Sequence, residues 1–195
     1  MTTTDITRTA LAPTVDDRRP DQELDPGELR QAFGAFPSGV VAVAALVDGE
    51  PVGMAASSFT SVSLSPALVA FSVATTSSTW PTLRSGDHLG LSVLASHHDQ
   101  ACRQLAGPAA ERFTGLSTRT TDRGALLLDD AVATFDCSVE REIEAGDHIM
   151  VLLRLHAVED GGAGSPLVFH RSGFERLDGH AGDRREGHRS LRRVG

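Results

Sequence analysis

The stretch Ala131-Val132-Ala133-Thr134-Phe135-Asp136-Cys137-Ser138-Val139-Glu140-Arg141-Glu142-Ile143 decides the fold class. Ala131, Ala133, Phe135, Cys137, Val139 and Ile143 share one parity. Thr134, Asp136, Ser138, Glu140 and Glu142 share the other. Side chains of a strand alternate between its faces, so this period of two predicts a half-buried antiparallel strand. Glu144-Ala145-Gly146-Asp147 then turns the chain into Ile149–Val158, apolar enough for a central strand.

Working outward, Gly39–Val47 is apolar on both parities and ends at Asp48-Gly49. It predicts a strand buried on both sides, a tight hairpin and a return strand over about Pro51–Ala56. Ala67–Ala74 and His88–Leu94 predict further strands, and Pro166–Arg171 a last one. Asp25-Pro26-Gly27-Glu28 opens a helix: Asp25 can cap and Pro26 suits the first turn. Leu29, Ala32, Phe33 and Phe36 follow at helical spacing. Short helices are expected from Ser78 to Arg84 and from Asp99 to Ala106, then a polar connector to about Arg123. Strands joined by hairpins outnumber helices, so the expected class is mainly β with covering helices, a Greek-key or barrel core.

Composition bounds the chemistry. The chain has 195 residues, enough for one domain with tails. Every one of its 18 basic residues is Arg, and it has no Tyr. A P-loop and a Schiff-base site both need Lys, so both are excluded. Residues 179–195 hold five Arg against Asp183 and Glu186, a local +3, which leaves −11 on the rest of a chain of net −8. So acidic a body argues against nucleic acid as the main partner. Cys102 and Cys137 form no metal or disulfide spacing. His98 and Cys102 lie one helical turn apart without a second pair, which reads as a surface histidine and a core thiol, with no metal site. No signal segment or long apolar run is present, so a soluble cytoplasmic protein without a membrane partner is expected. Residues 1–24 read as a disordered leader, 25–178 as the domain and 179–195 as a flexible basic tail.

Three stretches carry candidate chemistry. Gly53-Met54-Ala55-Ala56-Ser57-Ser58-Phe59-Thr60-Ser61-Val62-Ser63-Leu64-Ser65-Pro66 joins two apolar strands with small and hydroxyl residues. Hydroxyls and free amides suit a flat heterocycle edged with carbonyls and ring nitrogens, and equally an ordinary Ser/Thr loop. Thr75-Thr76-Ser77-Ser78-Thr79 enters a helix start, where an anion or a simple cap would fit, with Arg84 near. Gly146-Asp147-His148 is a hairpin whose histidine could meet a ligand or only complete the turn.

Together these resemble the flavin reductase family, the small NAD(P)H:flavin oxidoreductases that serve two-component monooxygenases. The resemblance runs from about Leu29 to Leu177. It is carried by Phe36-Pro37-Ser38-Gly39-Val40, Gly53-Met54 through Ser58-Phe59, Ser61-Val62-Ser63-Leu64-Ser65-Pro66, Gly146-Asp147-His148 and Pro166-Leu167-Val168-Phe169. It implies a split β-barrel working as a homodimer, with FMN or FAD and NADH or NADPH as ligands and a monooxygenase receiving reduced flavin. By that likeness Ala55, Ala56, Ser57 and Ser58 lie along the flavin ring, followed by Ser61, Val62 and Ser63, and Ser38 and Met54 also bind the cofactor. Ser72, Val73 and Ala74 run beside the ring and ribityl chain. Ser77, Ser78 and Thr79, with Arg84, face phosphate. His148 sits by the nicotinamide as the catalytic residue, and Phe169, His170, Arg171 and Ser172 help hold the dinucleotide. The chain departs from the family where Thr-x-Asn is replaced by Ala55-Ala56-Ser57, where Ser92 replaces Asn, and where Phe174 supplies the late aromatic without a hydroxyl. Two other readings share the barrel: a flavin or haem carrier without turnover, and a pyridoxamine-phosphate-type oxidase. The body lacks the basic cluster that the oxidase would need.

Overall fold

The computed structural model describes residues 24–161, 164–177 and 192–193. The leader 1–23 and most of 178–195 therefore lie outside the described residues. In chain order the elements are α1 (Pro26–Gly34), β1 (Ser38–Gly39), β2 (Val41–Val47), β3 (Glu50–Ala56), β4 (Thr60–Leu64), β5 (Ala67–Ala74), α2 (Trp80–Leu83), β6 (Leu89–Val93) and α3 (Asp99–Leu105). A single 3₁₀ turn at Ala109–Glu111 precedes β7 (Thr118–Thr120), β8 (Leu126–Leu128), β9 (Ala133–Ala145), β10 (His148–Asp160), β11 (Leu167–His170), β12 (Gly173–Arg176) and β13 (Arg192–Arg193). The fold is α/β in content and dominated by antiparallel sheet.

The main sheet runs β3-β2-β6-β9-β10-β5-β4, and β13 adds to β10. Its first and last strands, β3 and β4, are joined in sequence by Ser57–Phe59 alone. Three residues span at most about 10 Å, so the sheet has to curl until its two edges approach. Ser58 fastens the approach: its Oγ accepts from Ser72 N at 2.8 Å and donates to Ser72 O at 3.1 Å. A three-stranded sheet β1-β11-β12 and a β7-β8 pair complete the layers.

β2 shows why its sequence is apolar on both parities. Val41, Val43 and Ala45 enter one core cluster with Phe71, Leu91, Cys137 and Leu153. Val40, just ahead of the strand, and Ala42 enter a second with Leu94, Leu105, Leu128 and Leu167. Trp80 closes the first cluster, meeting Phe71 edge-on at 5.5 Å and donating its indole N–H to Glu142 at 2.7 Å.

The structure corrects five expectations. The polar parity of β9 faces water only in its second half, where Glu140 is exposed: Thr134 and Asp136 are buried, because Arg119 and His88 reach across to bond them. The supposed connector contains β7, and Leu126–Leu128 after it is fully covered. The hydroxyl stretch after Ser58 is not all loop, since Thr60–Leu64 pairs with β5. Residues after Arg171 return as β12, which pairs with β11. Finally, α1 is capped by Asp25 as expected, but it buries none of its residues, and Phe33 and Phe36 are 70% and 77% exposed.

Acid should weaken this fold. Burial, reinforced by His97, lowers the pKa of His98, while Asp130 opposes the shift. Burial and the His88 ring lower that of His156, against Asp136. Both groups take up protons more readily unfolded, so the unfolded chain gains protons first as pH falls. Stability is full above the ordinary histidine value of 6.5 and declines as pH drops below it. The urea midpoint should be flat between pH 8 and 7 and fall from pH 6.5 to 5. A midpoint constant down to pH 5 would exclude both histidines as contributors.

Candidate functional site

β3, β5 and the β9–β10 hairpin converge on one cavity of ≈ 370 Å³. It is lined by Met54, Ala55 and Ala56 from the end of β3, by Ser57 and Ser58 just after it, by Ser72, Val73 and Ala74 from β5, and by Ser77 and His148. The register explains the meeting. β10 pairs with β5 so that His148 lies opposite Ala74, and Met150 opposite Ser72. Gly146, at φ 67°, makes the tight turn that starts β10 there. The hairpin is also tied down, because Thr75 donates both its N–H and its Oγ–H to Asp147 O at 2.9 and 3.0 Å.

His148 is half exposed at its side chain, and its Nδ1 meets Asp147 Oδ1 at 2.8 Å. That bond holds the Asp147 carboxyl below the usual carboxylate range. It also sets the tautomer: Nδ1–H donates to the carboxylate, so Nε2 of the neutral ring is an acceptor.

Two smaller cavities flank the first. One of ≈ 240 Å³ shares Ala55, Ala56 and Ser57 and is mostly apolar beyond them, with Phe169 and Phe174 on its wall beside the single charged residue Arg103. Phe174 packs on Phe169 at 5.7 Å, and the Arg103 guanidinium lies 4.8 Å from the Phe174 ring centre. The other, ≈ 190 Å³, continues along Gly53, Ser78 and Thr79 and ends at Arg112.

Arg112 is the residue that sequence reading missed. Its Nε donates to Gly107 O at 2.9 Å, and its Nη1 to Gly53 O and Thr79 Oγ1 at 2.8 and 2.7 Å. Its Nη2 makes no hydrogen bond among the described residues, so a fixed cation with unused donors stands beside Ser78 and Thr79. Arg84, expected in this place, pairs instead with Glu142 at 3.0 Å. The helix that Thr79 precedes has only four residues, and Thr79 makes no side-chain cap. Ser77 does that work, its Oγ accepting from Trp80 N at 3.2 Å.

The remaining expected residues lie outside these three cavities. Ser61, Val62 and Ser63 are on the edge strand β4. Ser38 pairs with Phe169 in the small sheet. His170 ends β11, and Arg171 and Ser172 form its left-handed turn at φ 47° and 64°. Ser92 is fully buried, its Oγ accepting from Leu128 N at 3.0 Å, so its hydroxyl is used inside the fold.

The description "Flavin reductase like domain" matches residues 33–178. The chain belongs to this family. Within it, the flavin reductase-like chain is 36% identical over 152 residues to a flavin reductase of Pseudomonas putida, covering 77% of this chain and 89% of that one. It is 36% identical to the stachydrine N-demethylase reductase subunit Stc3 of Rhizobium meliloti, over 77% of this chain and 66% of that one. It spans 51% of a second Rhizobium meliloti relative. Among solved structures it is similar to the NADH:FAD oxidoreductase SgcE6 of Streptomyces globisporus C-1027 in complex with NAD and FAD fragments. The TM-score is 0.75 at 33% identity, with 83% and 99% of the two chains covered. Among the described residues of the flavin reductase-like chain, no helix is long and apolar enough to cross a membrane.

Proposed function

We propose that the chain reduces FMN or FAD with NADH or NADPH and releases the reduced flavin to a separate monooxygenase. The carrying observation is the single cavity shared by Met54–Ser58, Ser72–Ala74, Ser77 and His148. Its volume suits a tricyclic ring, its walls are small and apolar, and its rim carries hydroxyls and strand-end amides. Bound flavin would supply the redox chemistry, accepting at N5 the hydride that leaves nicotinamide C4. The protein's own part is to place two rings face to face and exclude water between them.

In this reading Ala55–Ser57 lie along the ring and Ser72–Ala74 beside the ribityl chain. Ser78, Thr79 and Arg112 receive phosphate, with Arg112 taking the place first given to Arg84. The apolar cavity under Phe169 and Phe174 accepts the dinucleotide. His148, its Nδ1 held by Asp147, positions the nicotinamide. Ser61–Ser63, Ser38, Arg84 and His170–Ser172 carry less of the argument, being outside these cavities. The domain extends over 25–178 and works as a split-barrel homodimer in the cytoplasm. The curl of the main sheet supports the barrel, and the bare α1 with exposed Phe33 and Phe36 supports burial in a dimer.

The test is NADH oxidation with and without added FMN or FAD. Turnover that requires flavin and saturates with it is expected. Tightly held flavin without turnover would replace this reading with the carrier. His148→Ala should lower kcat about tenfold while leaving flavin affinity within twofold. Unchanged turnover in that variant would remove His148 from the reaction.

A further inference from the structure

Arg112 is held through its backbone as well as through its guanidinium. It follows the single 3₁₀ turn Ala109–Glu111, which is too short to be rigid by itself. The bond that closes the turn, from Arg112 N to Ala109 O, is long at 3.4 Å. Stiffness comes from α3 instead. Gln104 donates its side-chain Nε2 to Glu111 O at 2.7 Å and to Thr114 O at 2.8 Å. An amide nitrogen carries two hydrogens, one for each acceptor. One side chain therefore ties the carbonyl directly ahead of Arg112 and the carbonyl two residues beyond it. Gln104 has a firm base, because Ala101, Cys102 and Leu105 of its helix are buried in the second core cluster. The tied segment also lies close on β3: a β-carbon at Gly53 would come within 2.7 Å of Phe113 Cζ.

We propose that Gln104 is a positioning residue of the flavin site, fixing the turn so that Arg112 presents its uncommitted Nη2 to the flavin phosphate. The proposal rests on the reading of Arg112 as a phosphate-binding residue and extends it to a residue outside the three cavities. Gln104 does not touch the ligand, since both hydrogens of its amide are spent on backbone carbonyls. Its contribution is to order Arg112 before flavin arrives. A cation on a loose turn must be immobilised by the ligand, and that cost is subtracted from affinity. No apolar side chain can replace the amide, and a glutamate would turn its own lone pairs toward the two carbonyls. Loss of Gln104 leaves the guanidinium bonds to Gly53 O, Gly107 O and Thr79 Oγ1, so its effect is smaller than the loss of Arg112 itself.

Fluorescence titration of FMN and of riboflavin with the full chain tests the proposal, without NADH and without turnover. Gln104→Met keeps the length of the side chain and removes both donors. It should weaken FMN binding roughly 5–20-fold and leave riboflavin, which lacks the phosphate, within about threefold. Gln104→Asn keeps the amide on a shorter stem and serves where the Met variant does not fold, with the same direction at smaller size. In an Arg112→Ala background, adding Gln104→Met should change FMN affinity by less than about twofold, because the group it positions is gone. Equal losses for FMN and riboflavin in the Gln104 variants would overturn the proposal and leave Gln104 a support of the fold alone. An undiminished effect in the Arg112→Ala background would also overturn it. The two readings fail separately. If Arg112→Ala abolishes the preference for FMN and Gln104→Met does not, only the role of Gln104 falls. If Arg112→Ala keeps that preference, the phosphate reading falls and this one with it.

Discussion

Gly90→Ala is expected to lower the melting temperature by roughly 6–12 °C, the equivalent of about 3 kcal/mol in a domain of this size. Gly90 sits in β6 between β2 and β9, paired with Ala44 and Asp136. β8 crosses directly over it. A β-carbon there would overlap the carbonyl oxygen of Leu126 and lie 2.6 Å from its carbonyl carbon and 2.9 Å from its nitrogen. All three are backbone atoms, so no rotamer change relieves the overlap. β8 cannot simply lift, because its Leu126, Leu127 and Leu128 are buried and Leu128 N is bonded to Ser92 Oγ. Gly39→Ala is the control, since a β-carbon there meets nothing within 4 Å. Thermal melts of the two variants side by side decide the matter. A Gly90 variant melting within 2 °C of the wild type would mean that β8 does not lie on β6 as described.

That contact marks the boundary of what could be read from the chain alone. The long elements were legible because they repeat a pattern: β5 falls at Ala67–Ala74 as its composition predicts, and the β9–β10 hairpin turns at Gly146-Asp147. β8 was not legible, because three leucines are too few to show a period. The burial of Thr134 and Asp136 in β9 was missed for a different reason. Thr134 and Asp136 look solvent-facing until Arg119 and His88, distant in sequence, are placed over them. Pattern reports which residues share a face, not what covers that face. The candidate site divides the same way. Met54–Ser58, Ser72–Ala74 and His148 line one cavity because strand ends and a hairpin deliver them together. Which arginine stands beside Ser78 and Thr79 could not be read locally, because the placement of Arg84 and Arg112 rests on long-range partners. Glu142 draws Arg84 away, and Gly53 O, 59 residues from Arg112, fixes the other guanidinium. No local signal in Pro108-Ala109-Ala110-Glu111-Arg112 announces that role.

Arg112→Ala is expected to raise KM for FMN roughly 10–100-fold with little change in kcat, the loss of a charge-assisted contact worth about 1.5–3 kcal/mol. The difficulty is that Arg112 also supports the fold, through Gly53 O, Gly107 O and Thr79 Oγ1. Gly53 immediately precedes the Met54–Ser57 wall, so a slackened wall would weaken flavin binding by itself. Riboflavin separates the two effects because it keeps the ring and ribityl chain and lacks the phosphate. A wall defect raises KM for riboflavin and FMN alike. A lost phosphate contact raises KM for FMN and leaves riboflavin within about threefold, so the preference for FMN collapses. Arg112→Lys refines the test. Its ammonium keeps the charge but cannot satisfy three acceptors in the planar geometry of a guanidinium. Part of the FMN preference should therefore survive in the Lys variant, even if its melting temperature falls as far as that of the Ala variant. Equal losses for FMN and riboflavin in both variants would return Arg112 to a purely structural role and leave Ser78 and Thr79 as the phosphate donors.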